Sequence, residues 1–135
     1  MKKTLLTVLG LAVIGSVTAE DVTDVDRLVC SAGQAHICLE TGDCYRATPF
    51  ELGMPDFIII DTKKQTISTT KTSGQDRSSK FASYERSEGL IQLQGAEHGR
   101  AYSFVIHEET GLLTASIARD GMSVSVFGAC TAADL

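Results

Sequence analysis

The sequence predicts a small all-β domain, an antiparallel up-and-down β-barrel of about eight strands tied by disulfides, with a two-sheet β-sandwich as the alternative. Three observations carry this. Residues 100–130 read as three consecutive strands joined by tight turns. After the N-terminal apolar run, no stretch of about ten residues or more has a helical period. The last of the four cysteines closes the final strand pattern.

The chain begins Met1-Lys2-Lys3, continues through an apolar run from Leu5 to Val17, and reaches Val17-Thr18-Ala19. A basic start, a hydrophobic middle and small residues before a cut describe a signal peptide over residues 1–19, cleaved near Ala19. The run is too short to cross the roughly 30 Å of a bilayer as a helix. The expected product is a periplasmic or secreted domain of residues 20–135, without stable membrane insertion. Losing Lys2 and Lys3 with the leader takes the formal net charge from −5 to −7. An acidic chain lacks the basic footprint that nucleic acid requires, so no nucleic-acid partner is expected. Asparagine is absent, which excludes N-linked glycosylation.

Cys30, Cys38, Cys44 and Cys130 remain after cleavage. An even count outside the cytosol implies disulfides. Of the three possible pairings, Cys38–Cys44 with Cys30–Cys130 is favoured on geometry. The first pair brackets a short loop containing Gly42. The second would join the first and last strands, which become neighbours when a sheet curls into a barrel. Closing so long a loop should stabilise the fold by about 4–5 kcal/mol on the loop-entropy account.

Residues 20–26 are acidic and read as a loose lead-in or one helical turn. Arg27 to Ala32 is the first strand and Ile37 to Glu40 a short second one. Tyr45 to Pro55 carries both prolines and reads as a connection, since proline cannot donate to a ladder. Its Phe50, Leu52 and Met54, spaced two apart, are candidates to cover one end of the barrel. Asp56 to Asp61 is an apolar strand, and Gln65 to Lys71 a β-branched, weakly hydrophobic, edge-like one. Residues 72–79 form a flexible connection. Lys80 to Glu88 alternates around Phe81 and Tyr84, and Leu90 to Gln94 follows. Residues 95–99 turn the chain into the meander, where Tyr102, Phe104 and Ile106 share a face with Leu113, Ala115 and Ile117 and with Met122, Val124 and Val126. Asp120-Gly121 is a strong hairpin signal because both residues tolerate positive φ. Gly128, inside a strand pattern, marks a bulge or a close backbone approach.

The residues that could carry chemistry are few. His36, His98 and His107 show no metal-ligand spacing, so no metal is expected. No G-x-S-x-G elbow exists, and the strand serines lie on the polar face. All four thiols are consumed in bridges, and the paired carboxylates sit at solvated turns where nothing would raise a pKa. No catalytic residue and no cofactor is assigned. The best candidate for binding is the turn region with Glu97, His98 and Arg100, together with Tyr102 and Phe104; its bland reading is a polar hairpin tip in which Glu97 pairs with Arg100. The favoured role is a non-catalytic binding module for a small apolar or amphipathic ligand lined by Phe57, Phe81, Tyr102 and Phe104. The alternative is a protein–protein module, such as an inhibitor of an envelope enzyme, in which Thr72-Ser73-Gly74 would take part. An enzyme is the least favoured class.

Overall fold

The computed structural model describes residues 19–133, so the expected leader lies outside the described residues except for Ala19. The described residues are all-β: ten strands form one antiparallel sheet curled into a half-barrel. They are β1 (Arg27–Leu39), β2 (Cys44–Ala47), β3 (Phe57–Asp61), β4 (Thr66–Thr69), β5 (Ser78–Lys80), β6 (Ser83–Ser87), β7 (Leu90–Glu97), β8 (Arg100–His107), β9 (Leu112–Arg119) and β10 (Met122–Ala132). The strand order is β5-β4-β3-β1-β10-β9-β8-β7-β6, with β2 pairing β1 off this path. Apart from that excursion and the step from β5 to β6, each strand lies beside its successor, as in a meander. The two ends of the sheet, β5 and β6, are joined by Phe81 and Ala82 alone. The Phe81 amide donates to Gln65 O at 3.0 Å and that of Ala82 to Gln94 O at 2.8 Å, so this link holds both ends of the curl together.

Strand β1 is one long strand where the sequence suggested two. The apparent break at Gly33 is a bulge: Ala32 pairs with Gly128 and Gln34 with Phe127, leaving Gly33 as the extra residue. Gly128 marks the close approach expected of it, because a Cβ there would collide with the Ser31 carbonyl. Cys30 lies opposite Cys130 in this ladder, and the two form a disulfide across the seam between first and last strands. Cys38–Cys44 closes the β1–β2 hairpin. Both pairings agree with the geometric expectation.

The alternating pattern places Leu28, Ile60, Ile91, Leu93, Ile106, Val124 and Val126 inside, all buried. The hairpins differ in detail from the reading above. At Asp120-Gly121 only the glycine has positive φ. Strand β7 runs on to Glu97, so the turn before β8 is His98-Gly99 alone, with φ of 48° and 76°. Those angles are the left-handed pair that suits the twist of a two-residue hairpin.

The two ends of the barrel are closed differently. At the end where β8 finishes, residues 20–26 are anchored and non-helical, neither the loose lead-in nor the helical turn expected. Val22 is completely buried, and its amide donates to Glu108 O at 2.7 Å. Arg86 follows Tyr84 on the inward phase of β6. It donates from Nη2 to Val25 O at 2.8 Å and to Val22 O at 3.3 Å, while Nε meets the Glu108 carboxylate. Asp26 lies 3.7 Å from the same guanidinium, and Thr62, the one buried polar residue among those described, donates through Oγ1 to Asp26 O. A hydrophobic valine and a nearly buried ion pair thus seal this pole. Taking away one partner would leave the other half-buried and unpaired, which is destabilising.

At the opposite pole the proline-bearing loop lies over the opening. Leu52 and Met54 pack against the core as expected, whereas Phe50 is 85% exposed.

The two disulfides should differ in worth because their loops differ in length. Replacing Cys30 and Cys130 by alanine is expected to cost about 4–5 kcal/mol, and replacing Cys38 and Cys44 about 2 kcal/mol, on the loop-entropy account. Equilibrium denaturation of the two double variants checks this; equal losses would show that the seam bond does not act by restricting the unfolded chain.

Candidate functional site

The open pole contains a cavity of about 120 Å³ between β4–β5 on one side and β7–β9 on the other, roofed by Gly53, Met54 and Pro55. Four of the five residues singled out in the sequence line it: Glu97, Arg100, Tyr102 and Phe104. They do so because positions 97, 100, 102 and 104 share the inward phase of the β7–β8 hairpin. His98, at the turn tip, has 76% of its side chain exposed and lies 3.7 Å from Glu97, outside the cavity. Phe81 is buried in the core and Phe57 is 37% exposed; neither lines the cavity.

The floor is apolar. Phe104 and Ile117 continue into an adjoining void of about 30 Å³ reached past Met54 and Pro55. Tyr102 and Phe104 pack ring against ring on the same strand face, with centroids 5.5 Å apart. Tyr102 crosses over Gly95 on β7, its register partner, where any Cβ would collide with the phenol. Its hydroxyl is buried without a hydrogen-bond partner, the Ser79 hydroxyl facing it without completing a bond. Burial pushes the phenol pKa above its ordinary 10.0; the Ser79 hydroxyl pulls the other way and the Glu97 carboxylate adds to the rise.

The rim is polar and carries unequal charge. Glu97 pairs with Arg77 at 3.9 Å, not with Arg100 as the bland reading had it. A further void of about 80 Å³ continues past this pair between β4 and β5. Arg77, Ser79 and Ile67 were not singled out in the sequence, and Met54 was read there only as a cover for one end of the barrel. Ile117 was legible as an inward residue, but Arg77 and Ser79 fall in a segment whose sequence suggests only a connection. Beside this cavity, the loops around residues 50–57 and 70–75 frame a groove of about 260 Å³ that includes Phe50, Phe57, Thr72 and Ser73. The Ser73 hydroxyl is turned onto its own loop, donating to Thr70 O at 2.7 Å.

Among the described residues, no three His, Cys, Asp or Glu side chains converge in a way that could hold a metal ion. None of their helices is long and apolar enough to cross a membrane. Comparison of the chain with protein-family models, curated proteins and solved structures finds no match.

The raised Tyr102 pKa has a definite sign. The unfolded chain releases this proton near 10.0 while the folded chain holds it to higher pH. In that window the folded state binds more protons, so stability falls as pH rises. An alkaline titration followed by tyrosinate absorbance should contain a step above 10.0 that Tyr102→Phe abolishes. Loss of amplitude from the range near 10.0 instead would mean that the hydroxyl is not buried.

Proposed function

We propose that this protein is an exported, non-catalytic binding module that takes a small amphipathic ligand into the cavity at its open pole. The leader-like residues 1–19 and the two disulfides support export to an oxidising compartment. The observation that carries the binding reading is the make-up of the cavity: an apolar floor of Phe104 and Ile117 under a rim of Glu97, Arg77 and Arg100. An apolar concavity with a few convergent polar groups is the usual form of a small-molecule site. Size narrows the ligand. A cavity of about 150 Å³ holds a benzene ring, so one of about 120 Å³ admits a short tail and not a long acyl chain. The middle of the barrel is packed with the chain's own side chains, as is common in small barrels.

A second reading, a protein–protein module, is favoured by the exposed Phe50 and Phe57 beside Thr72 and Ser73. Exposed aromatic residues around a groove suit a protein partner. A Phe50→Ser variant that still captures the same envelope proteins as the parent would remove this reading.

The binding reading is tested by heteronuclear NMR on labelled protein. Pentanamide should shift the amides of Tyr102, Phe104 and Ile117, and Ile117→Trp, which fills the space, should abolish the shifts while leaving the thermal midpoint within a few degrees. Palmitate should not reproduce them. Shifts that persist unchanged in Ile117→Trp would place the ligand elsewhere and end the proposal.

A further inference from the structure

We propose that the ligand of this cavity carries an anionic head on a short apolar tail, and that Arg100 and Arg119 grip the head at the rim. This rests on the binding reading above and adds the class of ligand. Arg100 opens β8 and Arg119 ends β9. Ala101 lies opposite Ala118 in that ladder, so the next step outward brings the two arginines side by side at the open pole. Both line a small hollow of about 40 Å³ with Leu52, Met54 and Ile117. Met54, Arg100 and Ile117 also line the main cavity, so the hollow adjoins it.

Neither guanidinium has a hydrogen-bond or ion-pair partner among the described residues. Like charges placed opposite each other on neighbouring strands are destabilising. The chain has 17 acidic residues against 12 basic ones, yet no carboxylate is placed between these two. Glu97, the one acidic side chain lining the cavity, is directed to Arg77 and His98. The rim therefore has an excess of positive charge on an otherwise acidic protein, and its planar, fork-shaped donors match carboxylate and phosphate oxygens.

Below the rim the wall turns apolar two residues along each strand, at Tyr102 and Ile117. A cationic ligand would meet two unpaired arginines, and a neutral one would leave them unpaired. Only an anionic head satisfies both the rim and the floor.

The test uses the disulfide-intact protein and ligands with matched tails: pentanoate, pentyl phosphate, pentanamide and pentylammonium, each titrated by NMR at low salt. Pentanoate or pentyl phosphate should bind about tenfold or more tightly than pentanamide, as charge-assisted contacts allow, and pentylammonium more weakly than either. The stronger of the two anions identifies the head. In Arg100→Gln with Arg119→Gln that preference should fall to about twofold or less, with pentanamide binding retained. Pentanamide binding as tightly as both anions would overturn the anionic ligand while leaving the binding module standing. No shift at Tyr102, Phe104 or Ile117 with any of the four would overturn both.

Discussion

Strand β1 is hydrogen-bonded along both edges, to β10 over most of its length and to β3 and then β2 on the other side. That double pairing decides the rest of the structure. A meander of hairpins builds itself from local contacts, but bringing the first strand to the last closes a loop of nearly the whole domain and carries a large entropic cost. Two sequence features offset it. The Cys30–Cys130 bond restricts the unfolded chain, and Gly128 lets the two backbones approach where a side chain would block them. The bulge at Gly33 then gives the long strand the extra twist needed to curl.

With the seam fixed, the interior fills from the alternating residues, and the ends determine what space is left. Burying an aliphatic side chain such as Ile60, Ile91 or Ile106 contributes about 1.5–3 kcal/mol, so the packed middle of the barrel has little reason to open for a ligand. One pole is sealed by Val22 and the Arg86–Glu108 pair. The other is covered only by a short proline-bearing loop, whose Met54 reaches the core but leaves the wall at Tyr102 and Ile117 uncovered. The cavity is thus the part of the interior that neither the strands nor the loop fills.

Much of the fold was legible because period-two alternation and cysteine placement are local signals with global consequences. The meander from Arg100 to Cys130, the disulfide pairing and the close approach at Gly128 all followed from such signals. Two features were obscured. The bulge at Gly33 imitated a strand break, because one added residue resets the alternation that marks a continuous strand. The anchoring of residues 20–26 depends on Arg86, which the pattern showed only as a charge in phase with Tyr84; its carbonyl and carboxylate partners come from distant parts of the chain. The candidate site was half legible for the same reason. Glu97, Arg100, Tyr102 and Phe104 stand on one hairpin and share a phase, whereas Arg77 and Ser79 reach the cavity only because β5 folds back beside β4. Arg119 kept the inward phase of Ile117, but its closeness to Arg100 requires the register between β8 and β9.

The first and last described segments run beside each other at the sealed pole, where the Glu20 amide reaches Cys130 O and the Ala133 amide donates to Arg27 O. The first and last described residues therefore lie on one side of the molecule, and the arginine-rimmed mouth faces the other. Anything tethered to either end, whether a tag, a surface or a second domain, would hang behind the barrel and leave its doorway unobstructed.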